Sequence, residues 1–174
     1  MTSHRRTIEE QTVWSSIVAV LGTLAGAALA GYAQRATDRR ARDAANRQEV
    51  TRAVADLLEA VVRHREVHWL TVAARRVGDA ETSEERSRLA STRSAATVAR
   101  DRLGLLVLTD PALLAAAETA WRTAIRLPDI ALGPAADGRF RPDVETALEA
   151  ARDRSRSAHT ALRIAGAAYI DSGH

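Results

Sequence analysis

With 174 residues and a formal net charge of +3, the chain has room for one domain with a real core, and is too nearly neutral to hold polyanions by overall charge alone. It has no Cys, which excludes disulfides, thiolate metal sites and a thiol nucleophile. All 25 basic residues are Arg, which does not titrate in the ordinary range and so inflates the isoelectric point.

The first feature along the chain is an apolar run. No charged residue occurs from Gln11 to Gln34. Residues 13–33, "VWSSIVAVLGTLAGAALAGYA", would make a helix of roughly 31 Å at 1.5 Å per residue, matching a bilayer core of about 30 Å. Ser15, Ser16 and Thr23 do not form a polar stripe. Trp14 and Tyr32 stand at its two ends, where amphipathic rings favour the headgroup region. The run therefore reads as a transmembrane helix. A cleaved signal peptide is the rival reading, with Ala28-Leu29-Ala30 as an A-x-A-like site and Arg5-Arg6 as its basic start. Glu9 and Glu10 cancel that basic start, and the arginines that follow the run resist translocation.

Arg5 and Arg6 precede the run, whereas Arg35, Arg39, Arg40, Arg42, Arg47 and Arg52 follow it. The positive-inside rule then places residues 1–12 outside the cell, residues 13–33 in the membrane and residues 34–174 in the cytoplasm. Within the run, Ala19, Gly22, Gly26 and Ala30 share one helix face, with Gly22 and Gly26 forming a G-x-x-x-G. Such a face lets two backbones approach closely, which predicts self-association, although a bias toward Ala and Gly produces the same spacing by chance.

Past the anchor the pattern is helical throughout. No Gly or Pro interrupts the chain between Tyr32 and Val77, and Val50, Val54, Leu57 and Val61 recur at helical spacing, widened by Leu58, Val62, Trp69 and Val72. Gly78-Asp79 ends this helix. Thr82 and Glu85 fit a capping box that starts the next, with Leu89, Ala96, Ala99, Leu103 and Leu106 as a lean seam. Thr109-Asp110-Pro111 marks a stop and a restart, followed by Leu114, Ala117, Trp121, Ala124 and Ile125. The segment "LPDIALGPAADGRFRPD" is the one substantial loop, and Gly133 to Gly138 reads as a flexible linker by composition. A last helix is predicted from Pro142 to Ile170, with Val144, Leu148, Ala151, Ala158, Leu162, Ala165 and Tyr169 inward. No stretch alternates with period two. The fold class is therefore all-α: one transmembrane helix continuing into an antiparallel four-helix bundle. Its Ala-rich seams imply closely packed helices, or a bundle that completes its core by dimerising.

Candidate chemistry is sparse. His64 and His68 in "HREVHW" are four apart on a helix, a spacing that can hold a metal. Glu66 lies about 200° around the helix from His64, so it cannot join them, and no third ligand is evident unless His159 is brought near. They read as structural histidines beside Trp69, and no metal site or cofactor is assigned. Asp56 with Glu59 and Glu145 with Glu149 read as solvated carboxylates on exposed faces. No phosphate-binding loop or nucleophile elbow is present, and no catalytic residue is assigned. From Arg35 to Arg52 six arginines face Asp38, Asp43 and Glu49, a net of +3. Beside a membrane Arg35, Arg39, Arg40 and Arg42 would draw anionic lipid; contact with DNA phosphates is the lesser reading.

The Arg-only, Ala-rich bias points to a high-GC bacterial genome, with an actinobacterium as the expected source. In that setting, the anchor pattern from Trp14 to Gly26, the "QRATDRRAR" collar from Gln34 to Arg42, and His64-Arg65 followed by Trp69 resemble the KilB-type plasmid-spread family of Streptomyces. The resemblance covers the first 70 residues well, and the remainder only in helical, Ala- and Arg-rich texture. It implies a membrane-associated, non-enzymatic protein that helps a conjugative element spread, alongside transfer-complex proteins, with no catalytic residues to carry over. A secreted or soluble helical module released after a signal peptide, and a membrane protein that contacts nucleic acid, are the alternatives.

Overall fold

The computed structural model describes the backbone of residues 3–172 and the side-chain surroundings of residues 31–172 other than 33 and 36. Four helices follow in order, α1 (Ser3–Arg76), α2 (Ser83–Leu106), α3 (Pro111–Ile125) and α4 (Pro142–Asp171), with a single 3-10 turn at Leu127–Asp129. The chain divides into two compact units, residues 1–45 and 46–174. Among the described residues no helix is long and apolar enough to cross a membrane. The expected transmembrane segment lies, up to residue 30, outside the residues whose side chains are described.

Local signals set the helix ends. Gly78 takes a left-handed conformation, φ 90°, that a β-carbon would disfavour. This lets Asp79 N–H reach Ala74 O and Gly78 N–H reach Arg75 O, a Schellman end to α1. At α2 the capping box forms as its spacing predicts: Thr82 Oγ1 accepts from Glu85 N–H at 3.1 Å, and Glu85 Oε2 accepts from Thr82 N–H at 2.8 Å. At α3, Asp110 accepts from Leu113 N–H at 2.9 Å while Pro111 opens the helix.

Cross-helix contacts fix the topology of the second unit. Asp56 meets Arg102 while His64 meets Thr92, so α1 and α2 run in opposite directions. Thr97 meets Trp121 and Arg100 meets Glu118, which reverses α3 again. Val54 lies against Gly166 and Arg76 against Glu145, so α4 is antiparallel to α1. The described residues of the second unit, 46–172, thus form an up-down-up-down bundle.

Val50, Ala53, Leu57, Val61, Leu103, Leu113, Ala120 and Leu162 centre its main core. Alanines fill much of the remaining interior, and the helices approach closely: a β-carbon on Gly166 would sit 2.9 Å from Val54 Cγ1. On α3 the innermost leucine is Leu113, and the expected Leu114 is only half-buried.

The loop between α3 and α4 departs from expectation. It is packed, not a loose linker. Ile130, Leu132 and Ala135 pack on a second core of Val72, Phe140 and Leu148. Asp137 and Gly138 both take positive φ, 53° and 73°, in a two-residue turn closed by paired hydrogen bonds between Ala136 and Arg139. Asp-Gly suits this mirror-image turn because neither residue resists the left-handed region strongly.

Candidate functional site

Two sets of residues are candidates for function, and each belongs to a different unit. In the first unit, Tyr32 is 74 % exposed, and Arg35, Arg39, Arg40 and Arg42 are all exposed on α1. On a helix turning about 100° per residue, Arg35, Arg39 and Arg42 fall within about 60° of one another, while Arg40 points about 130° away from that stripe. The helix therefore presents three guanidinium groups along one stripe. Asp38 is engaged by Gln34, whose Nε2 donates to Oδ1 at 3.0 Å. The remaining predicted residues, Trp14, Ala19, Gly22, Gly26 and Ala30, lie outside the residues whose side chains are described.

The second set lies inside the bundle. His64 and His68 are 0 % and 3 % exposed, and they continue the inward seam of Val50, Val54, Leu57 and Val61 at the same three- and four-residue steps. They are core residues. Thr92 Oγ1 sits 3.0 Å from His64 Nδ1 and itself donates to Leu89 O at 3.0 Å. The two contacts are compatible when Thr92 gives its hydroxyl proton to Leu89 O and accepts from Nδ1–H of His64. His64 Nε2, His68 Nε2 and Ser155 Oγ are buried without a hydrogen-bond partner among the described residues. His68 meets Trp69 edge to face with ring centroids 5.2 Å apart.

Burial lowers the pKa of both rings to about 4; nearby Arg93 adds to the effect at His64, and His64 adds to it at His68. Both are therefore neutral at physiological pH. Among the described residues no group of three or more His, Cys, Asp or Glu is placed to hold a metal.

Of the carboxylates expected to be solvated, Asp56, Glu59 and Glu149 are exposed and Glu145 is not. Asp56 pairs with Arg102 at 3.0 Å and Glu59 with Arg63 at 2.8 Å, both on the surface. Glu145 is half-buried: it binds Arg76 of α1 and accepts from Phe140 N–H at 3.0 Å, so it clamps the loop to the first turn of α4. These contacts hold its carboxyl below the usual range, the Phe140 N–H contributing most. The arrangement positions chain; it offers no nucleophile beside a base.

Sequence reasoning missed Thr92, Ser155 and Gly166 as interior positions. Each falls at helical spacing within its stripe: Ser155 lies between Ala151 and Ala158, and Gly166 between Leu162 and Tyr169. The spacing was the available signal.

A sequence model of the KilB plasmid transfer protein family matches residues 51–170. This chain belongs to that family. Protein KilB of Streptomyces lividans is 40 % identical over 85 residues, which are 48 % of this chain and 58 % of that protein. The chain thus spans less than two thirds of that relative's length. No solved structure matches. The family match changes the basis of the likeness: it rests on the bundle, whereas the resemblance read from sequence rested on the first 70 residues, of which the match includes only 51–70. The helical core of a KilB protein, with its inward histidines and packed loop, is what this structure displays.

Proposed function

We propose that this KilB-family chain is a membrane-anchored, non-enzymatic interaction protein that works in the transfer or spread of a conjugative element. The family match over residues 51–170 carries the reading. The charge-free run at residues 13–33 supports the anchor, and the two-against-six arginine asymmetry supports an outside N-terminus and a cytoplasmic bundle. The stripe of Arg35, Arg39 and Arg42 supports contact with anionic headgroups, each nearby Arg contributing ~1 kcal/mol. The neutral, buried histidines and the clamped carboxylates support a scaffold that gathers partner proteins, not one that turns over a substrate.

The test is deletion of the gene from its element, followed by complementation. Initial transfer to a recipient stays largely intact, and later spread through the recipient mycelium contracts. Loss of the initial transfer itself would contradict the proposed role.

A further inference from the structure

At the end of the bundle where α1 turns into α2, an open cavity of about 200 Å³ lies against the loop between α3 and α4. Pockets for drug-sized ligands run to about 300–1,000 Å³, so this one suits a smaller molecule. One wall is polar. His68, Thr71 and Arg75 line it from α1, three and four residues apart on one helix face, and Glu81 lines it from just ahead of α2. The opposite wall is apolar, with Leu89 of α2 and Ile130 and Leu132 of the loop.

The polar wall is short of partners. His68 is 3 % exposed, and its Nε2 has no hydrogen-bond partner among the described residues. Thr71 gives its hydroxyl proton to Val67 O at 3.2 Å, which leaves its oxygen free to accept. Among the described residues Arg75 forms no ion pair, and Glu81 meets only Arg86, at 4.0 Å. The field of Arg75 reaches Glu85, but the Glu85 carboxylate is committed to the capping box of α2. The cavity therefore holds a cation and an anion that do not neutralise each other.

We propose that this cavity binds a small zwitterion of the α-amino acid class with a short aliphatic side chain. The Arg75 guanidinium takes the carboxylate in a two-point contact. Glu81 takes the ammonium, and the Thr71 oxygen accepts from it. The neutral His68 ring adds a donor and an acceptor without upsetting the balance of charge. Leu89, Ile130 and Leu132 cover the side chain. A simple anion would be opposed by Glu81 and a simple cation by Arg75, whereas a zwitterion answers both. One terminus of a longer peptide brings only one of the two charges and meets the same objection. The occupant ties α1, α2 and the loop together at one end of the bundle. This site goes beyond the role in transfer and does not depend on membrane attachment.

Isothermal titration of the full chain in nanodiscs with valine is the test. Valine binds, and glycine, which leaves the apolar wall uncovered, binds more weakly. Isovalerate is valine without its amino group, and isobutylamine is valine without its carboxylate. Each binds at least about tenfold more weakly than valine, the cost of one charge-assisted hydrogen bond. Arg75→Gln and Glu81→Gln each weaken valine binding at least about tenfold, with helical content unchanged by circular dichroism. The analogue series needs no variant, so it stands even if a substitution disturbs the fold. No binding of valine at millimolar concentration overturns the proposal. So does isovalerate or isobutylamine binding as tightly as valine, which would make the cavity a site for a simple ion. Valine binding that survives both substitutions overturns the location.

Discussion

His64 and His68 occupy seam positions of α1 that elsewhere carry Val and Leu, and the bundle tolerates them only as neutral rings. Unfolding exposes them, and their pKa then returns from about 4 toward the ordinary 6.5. Between those values the unfolded chain binds protons that the folded chain does not. Their contribution to stability is therefore whole above about pH 6.5 and is lost as the pH falls toward 4. Thermal melts should show a lower midpoint at pH 5 than at pH 7.5. His68→Leu should shrink that difference, since one depressed ring is gone while His64 and His159, also lowered by burial, remain. A difference unaffected by the substitution would mean that other groups govern the acid response. Gly166 makes a second prediction at this scale. A β-carbon there meets the stiff, β-branched Val54, whereas at Gly104 it meets nothing within 4 Å. Gly104→Ala should stabilise by about 0.5–1 kcal/mol through helix propensity. Gly166→Ala should destabilise by about 1–2 kcal/mol despite the same gain, because overpacking outweighs it. Denaturant midpoints of the two variants, moving in opposite directions, check this.

The helices were legible in the sequence wherever their causes are local. Thr82 with Glu85, Pro111 and Gly78 act through neighbours a few residues away, and all three ends form as their residue types dictate. What was not legible depends on residues far along the chain. Thr92 and Ser155 are polar and look outward until another helix closes over them, and Gly166 looks like a weak helix residue until Val54 is known to face it. Glu145 looks solvated until Arg76 and Phe140 N–H arrive from other segments. Pro and Gly in the loop announced only where regular helix stops, not that Ile130 and Leu132 pack beneath it. The basic stripe was legible as charge, and its common face followed from helical continuity through Arg35, Arg39 and Arg42. The association face proposed for residues 13–33 yields a prediction at the element scale. Replacing Gly22 and Gly26 with Leu should lower self-association in a membrane two-hybrid assay while leaving insertion intact, because closely approaching backbones are what such a face offers. Association unchanged by the pair would shift the weight to the helices of the bundle.

At the scale of the whole molecule the proposed function gives two parts different tasks: an N-terminal segment would hold the chain at a membrane, and the KilB-family bundle would meet other proteins. The arginine asymmetry predicts orientation. A reporter active only in the cytoplasm should work when fused after His174, and one that requires export should not. Replacing Arg35, Arg39, Arg40 and Arg42 with neutral residues should weaken that bias. The central claim is that the bundle acts only when held at the membrane, and the most direct measurement compares plasmid spread supported by the full chain with spread supported by a chain lacking residues 1–34. The account predicts that the truncated chain accumulates as a folded helical protein, leaves the membrane fraction and fails to support spread. A truncated chain that supports spread as well as the full one would contradict it.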